Sequence, residues 1–160
     1  MDQPAGEIGL HAKLIHHTDV SAAEFIHRQI KDFNTQSSPH HRHIRGVGAR
    51  PLNVLLYDQA NQLMGGLIAS TYWGWLDIDD FWLSAPVRRQ GHGRTMLRMA
   101  EEEARARGCQ RAMLQTFSFQ ARAFYEKQGY RVAGVMEDYP PGASFFWMRK
   151  ELNEPTPLGS

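Results

Sequence analysis

Cysteine is almost missing: Cys109 stands alone among 160 residues. Neither an intramolecular disulfide framework nor a cysteine-rich zinc site can be assembled, and a reduced, cytoplasmic setting is expected. A surplus of charge is missing too. Eighteen Lys and Arg face seventeen Asp and Glu, which leaves no global electrostatic case for nucleic acid or an anionic membrane surface. No apolar run approaches the roughly 20 residues of a spanning helix. The opening, MDQPAGEIGL, has neither the basic nor the apolar region of a secretory signal. Repeats and low-complexity stretches are absent. What is present, 42% hydrophobic and 22% charged residues, is the proportion of an ordinary folded chain. One domain over 1–152 is expected, followed by a polar, proline-containing tail over 153–160.

Periodicity orders the elements. Ile8, Leu10, Ala12 and Leu14 alternate, which predicts a first strand over 8–15. Thr18, Asp19 and Ser21 offer N-caps for a helix whose Ala22, Phe25, Ile26, Ile30 and Phe33 share one face. The stretch 36–51, crowded with Ser, Pro, Gly, His and Arg, reads as a surface loop with room for a short helix. Three strand-like pieces, 52–57, 62–72 and 75–83, then form an antiparallel meander. After Pro86 the period changes. Met96, Leu97, Ala100 and Ala104 mark a helix face, Glu101/Arg105 and Glu103/Arg107 support it at i,i+4, and Gly108 ends it. A short strand over 112–117, a helix over 119–128 closed by Gly129, and strands near 130–136 and 144–149 complete the order β-α-loop-β-β-β-α-β-α-β-β. The fold class is α/β, a mixed sheet covered by helices.

Chemistry concentrates in 81–94. A strand end, a turn marked by Pro86, the spaced glycines Gly91 and Gly93 among Arg88, Arg89 and Arg94, and a helix start follow one another. Glycines let backbone approach phosphate oxygens, first-turn N–H groups have no intrahelical partner, and the helix dipole and arginines add positive potential. The plainer alternative is a glycine turn with a solvated basic rim. The stretch lacks the Gly-Lys-Ser/Thr ending of a nucleoside-triphosphate loop and the full three-glycine pattern of a dinucleotide fold.

The run Arg88-Arg89-Gln90-Gly91-His92-Gly93 resembles the acyl-CoA pyrophosphate loop of the GNAT superfamily of acetyl-CoA-dependent N-acetyltransferases: Gln or Arg, two residues, Gly, one residue, then Gly or Ala. A second run, Ala121-Arg122-Ala123-Phe124-Tyr125-Glu126-Lys127-Gln128-Gly129-Tyr130, is similar to that superfamily's helix carrying Ala, Phe-Tyr, Lys and Gly followed by an aromatic. The resemblance is specific over 75–149 and topological before that. It implies a GNAT-like fold with a splayed central sheet, acetyl-CoA as cosubstrate and an amine as acceptor. By the same resemblance, backbone near Leu83 and Ala85 pairs with the pantetheine arm in the splay. Arg88, Arg89, Gln90, Gly91, His92, Gly93 and Arg94 hold the pyrophosphate. Tyr125 falls where many members keep a tyrosine beside the thioester sulfur, placed to donate a hydrogen bond or proton to the departing thiolate. Ser118 stands where the family often has Asn, so the CoA contact there is made differently. Homodimers are common among proteins of this resemblance.

An amine must be neutral to attack a thioester. Asp77 and Asp79 lie on the third meander strand, where alternation sends both to the face of Phe81 and Leu83 and puts Asp80 opposite. Either carboxylate, directly or through an ordered water, is the expected base, and two close carboxylates raise the pKa of at least one. The alternative is that both only attract a cationic acceptor. His40-His41-Arg42-His43 has no Cys or carboxylate at ligand spacing, so no metal is expected. Tyr72, Trp73, Trp75, Phe145, Phe146 and Trp147 read as core or hairpin packing, with one or two available to an acceptor pocket. Cys109 reads as a buried spacer. The expected activity is acetyl transfer from acetyl-CoA to a small-molecule primary amine. A protein or peptide amine acceptor, and a non-catalytic acyl-CoA sensor, are the alternatives; neither nucleic acid nor membrane is an expected partner.

Overall fold

A carboxylate starts the first helix: Asp19 Oδ1 accepts from Ala22 N at 2.9 Å, and α1 runs Val20–Ser37. Ser38 and Pro39 start the next. The Ser38 hydroxyl accepts from His41 N at 3.3 Å, Pro39 occupies a first-turn position where its missing N–H costs nothing, and α2 runs Pro39–Val47. The histidine-rich stretch expected to be a loop is therefore mostly helix. The computed structural model describes residues 10–153, and the chain divides into two units, one running to Arg42 and the other from His43. The strand expected over 8–15 is not found: 10–15 has no regular structure, and residues 8 and 9 lie outside the described residues, as does 154–160 of the expected tail. Alternation proposes a strand, but only a ladder with a partner makes one.

The second unit is a six-stranded sheet, made of β1 (Arg50–Tyr57), β2 (Leu63–Tyr72), β3 (Trp75–Leu83), β4 (Arg111–Phe117), β5 (Arg131–Glu137) and β6 (Ser144–Glu151), in the spatial order β1-β2-β3-β4-β6-β5. The β3/β4 pair is parallel and the others antiparallel. That parallel pair needs a crossover, which α3 (His92–Ala106) supplies. Between β4 and β5 lies α4 (Arg122–Lys127), shorter than expected. Gln120 explains the delay: its Oε1 accepts from Phe117 N at 2.8 Å and its own N–H bonds Phe117 O at 3.0 Å, so 118–121 is spent on a turn.

One face of the sheet is dry. Leu52, Leu67, Ala69, Leu76, Ile78, Ala112, Leu114, Phe146 and Met148 pack with Met96, Leu97, Ala100 and Ala104 of α3 and Tyr125 of α4. Beneath it sits a charged group: Glu101, 3% exposed, accepts from Tyr130 Oη at 3.1 Å and Lys150 Nζ at 2.7 Å. Both carboxylate oxygens are thereby engaged, as a buried charge requires.

A bulge redirects β3. Ile78 pairs with Ala69 and Asp80 with the adjacent Ile68, so Asp79 is an extra residue on β3 with no counterpart on β2. Phe81 and Leu83 consequently rejoin Leu76 and Ile78 on the helix-covered face, packed against the core. Asp77, Asp80 and Trp82 share the opposite face. This corrects the simple alternation, which had Asp77 and Asp79 with Phe81 and Leu83 and Asp80 across the sheet. The extra residue inverts the parity of everything beyond it.

Candidate active site

The glycine-arginine loop forms where β3 ends. The chain passes Ser84 into a 3-10 turn, Ala85–Val87, then Arg89 at φ 62° and Gly91 at φ 86°. Gly91 adopts this left-handed backbone without a Cβ clash and is the residue from which α3 departs. No side chain caps that helix end, so its first-turn N–H groups point outward without an intrahelical acceptor. Arg89 and Arg94 are exposed beside it. Two neighbours brace the loop: Arg88 Nε donates to Leu83 O, and Gln90 Nε2 to Pro86 O, each at 2.7 Å. The Leu83 carbonyl is thus engaged by Arg88, whereas the buried Ser84 Oγ has no hydrogen-bond partner among the described residues. His92 and Gly93 open α3. A Cβ at Gly93 would meet Leu83 Cδ1 at 3.4 Å and Phe124 Cζ at 3.5 Å, so the end of β3, the start of α3 and α4 converge there.

Next to this point the sheet forks. β3 and β4 pair only from Trp75↔Arg111 to Ile78↔Leu114, yet β3 continues to Leu83 and β4 to Phe117. Past Ile78 and Leu114 their facing backbone edges are not bonded to each other. On the helix side Phe81 of β3 meets Phe124 of α4, ring centroids 6.2 Å apart. Tyr125 follows, 7% exposed, edge-on to Phe124 at 5.2 Å and Tyr130 at 5.9 Å. Its hydroxyl makes no hydrogen bond among the described residues, and burial pushes its pKa up to about 12. The phenol is therefore protonated at neutral pH with an uncommitted donor.

Asp79 is the first β3 residue past the last pair with β4, and it is exposed. Partial burial first, then the charges of Asp77 and Asp80, push its carboxyl pKa up. Asp77 is half-buried and accepts a hydrogen bond from Tyr72 Oη at 2.6 Å. Burial and the two aspartates push the Tyr72 phenol pKa far up, so it remains a donor. Sequence reasoning missed Tyr72 as a partner. Its signal was the Trp73-Gly74 turn, with φ 50° and 76°, which sets Tyr72 opposite Trp75 and hence diagonal to Asp77.

Ser118, expected near the cofactor, closes the β4/β6 ladder: its N–H donates to Ser144 O at 2.8 Å and its Oγ accepts from Ser144 N at 3.1 Å. Ala85 opens the 3-10 turn, its carbonyl accepting from Arg88 N at 3.3 Å. The structure thus gathers Leu83, Ala85, Arg88 to Arg94 and Tyr125 on the helix side of the fork. Asp79 stands at the fork, Asp77 on the far face, and Ser118 at the end of β4. Among the described residues no cluster of three or more His, Cys, Asp or Glu side chains stands at metal-binding spacing, and no helix is long and apolar enough to cross a membrane. Cys109 is buried, and burial raises its thiol pKa.

Comparison with known proteins gives consistent matches. The family described as Acetyltransferase (GNAT) family matches residues 20–130. Blasticidin-S acetyltransferase of Streptomyces morookaense is 36% identical over 131 residues, covering 78% of this chain and 96% of its own length. An acetyltransferase from Bacillus cereus superposes with a TM-score of 0.74 at 30% identity, over 87% of this chain and 97% of its own. A Bacillus anthracis protein solved in complex with acetyl coenzyme A shares the fold at a TM-score of 0.56 and 19% identity, over 64% of this chain and 62% of its own.

Proposed function

The chain belongs to the acetyltransferase (GNAT) family, and from that premise we propose that it moves an acetyl group from acetyl-CoA to the primary amine of a small molecule by direct attack. The observation that carries this reading is the convergence of an uncapped helix N-terminus, a forked sheet and an uncommitted buried phenol at one place. The residues present fit acetyl-CoA. Outward N–H groups of α3 with Arg89 and Arg94 suit a diphosphate, and the partnerless Ser84 Oγ and open strand edges suit the amides of a pantetheine arm. Bound there, acetyl-CoA supplies an activated acyl group. Blasticidin-S acetyltransferase, matched over 96% of its own length, favours a small-molecule acceptor, and the single buried cysteine suits a cytoplasmic enzyme.

Asp79 takes the proton that the acceptor's ammonium must lose before the amine can attack. Tyr72 holds Asp77 by a hydrogen bond, and Asp79 is the aspartate whose carboxyl pKa is raised. A base works only when ionised, so a raised carboxyl pKa puts the loss of activity on acidification at higher pH than for an ordinary carboxylate. Asp77→Asn keeps an oxygen for Tyr72 but removes one of the charges holding Asp79 up. The acid limb of kcat/KM is expected to move to lower pH in Asp77→Asn and to vanish, with activity reduced about 10²–10⁴-fold, in Asp79→Asn. An unchanged limb in both variants would remove Asp79 as the base.

The direct test is titration of the protein with acetyl-CoA, CoA and ATP by calorimetry and thermal shift, followed by thiol release with a panel of amines. Stabilisation by both CoA species and not by ATP is expected, growing with ligand concentration by mass action. Failure to bind either CoA species would defeat the proposal.

A further inference from the structure

Five aromatic side chains at the end of β4 and the start of β6 stand apart from the core. Phe117 stacks on Phe119 at 5.1 Å and 6°, and lies 4.9 Å from Phe145 and 6.4 Å from Tyr139. Phe145 in turn meets Tyr139 at 5.9 Å and Trp147 at 5.0 Å. None belongs to the buried cluster, and Phe119 is 67%, Tyr139 54% and Trp147 39% exposed. Scattered exposed apolar residues are ordinary; partly exposed rings in mutual contact are not.

The register places this cluster. Phe117 pairs with Phe145 and Gln115 with Trp147, on the sheet face that also carries Asp77 and Asp80. Phe117 ends β4 three residues past its last pair with β3, and Asp79 and Asp80 are the first β3 residues past that same pair. The fork therefore has two unlike walls: carboxylates on β3 and open aromatic rings at the end of β4. We propose that this face is the acceptor site and that it selects a primary alkylamine that bears a flat aromatic or heteroaromatic ring, the ring packing on the Phe117-Phe119-Tyr139 cluster and the ammonium directed to Asp79. The inference rests on the acetyl-transfer reading above for the identity of the fork.

Charge complementarity accounts for the amine: three carboxylates along 77–80 draw a cation, and a stacked ring needs no charge at the other wall. A flat ring gains edge and face contacts there that a puckered one of equal size does not.

The test compares 2-phenylethylamine with 2-cyclohexylethylamine, which match in reach and differ in flatness. The aromatic amine is expected to show kcat/KM about three- to tenfold higher, the range that an aromatic pair adds beyond buried area. In Phe119→Leu/Tyr139→Leu that ratio falls to near one. Equal values in the unaltered protein, or an unchanged ratio in the variant, would overturn the inference. Binding is read separately from turnover through the indole N–H resonance of Trp147, assigned with Trp147→Phe, in CoA-saturated protein. A shift produced by the aromatic amine and not by its saturated twin supports the site even if no acetyl transfer occurs, in which case the acetyl-transfer reading fails alone. No shift with either amine overturns the site whatever the enzyme does with other amines.

Discussion

Tyr125→Phe should lower kcat about 10²–10³-fold, the usual cost of removing one donor to a charge that develops during reaction, while the KM for acetyl-CoA changes less than about threefold. The phenol is buried, keeps its ring packing with Phe124 and Tyr130, and has no hydrogen bond to lose among the described residues. Its deletion therefore costs nothing in the ground state. Donation to the sulfur matters only as negative charge accumulates there. With its pKa pushed up to about 12, the phenol is a weaker acid than a thiol of ordinary pKa, about 8.5, so in the proposed role it donates a hydrogen bond to the thiolate and retains its proton. The donor must be protonated, its raised pKa keeps it so as pH rises, and kcat is expected to show no decline from this group until pH nears about 12. Equal turnover by the variant at saturating substrate would reduce Tyr125 to a packing residue.

The second large effect is on binding. Gly91→Val combined with Gly93→Leu should weaken acetyl-CoA binding about 100-fold or more, the worth of roughly two hydrogen bonds to charged oxygens. At Gly91, φ 86° lies where a β-branched residue is strained, so the loop must refold to relieve it. At Gly93 a Cβ is tolerated in contact with Leu83 and Phe124, but a longer side chain has to enter the space where strand end and helix start converge. Neither glycine belongs to the buried cluster, so the melting temperature of the ligand-free variant serves as the control for folding. Calorimetry that returned an unaltered dissociation constant from a folded variant would show that the diphosphate is held elsewhere.

The parts of this protein legible in its sequence are those fixed by local pattern. The three meander strands, the α3 face of Met96, Leu97, Ala100 and Ala104, and the glycine at 108 with φ 85° all depend on spacing within one segment. The parts that escaped depend on a partner. The Asp79 bulge exists only as a mismatch between β3 and β2, and an aspartate gives no local sign of it. Alternation over 10–15 looks like that of a true strand, yet no ladder forms there. The helix at 39–47 was legible only as room for a short helix within a loop, since four consecutive polar residues at 40–43 outweighed the Ser38-Pro39 start signal. The anchoring of Asp77 by Tyr72 and of Glu101 by Lys150 required three-dimensional neighbours, the latter 49 residues apart.

The fork in the sheet has a colloidal consequence. An open sheet normally exposes its unpaired backbone only along its two outer strands, and proteins shield those edges because they template association with other chains. Here β3 and β4 add an inner pair of edges that are not bonded to each other past Ile78 and Leu114. Whatever threads between them with its own amides acts as a missing strand and silences both at once. In the proposed binding mode the ligand-free chain is the form more prone to associate edge to edge, and the bound cosubstrate shields both edges.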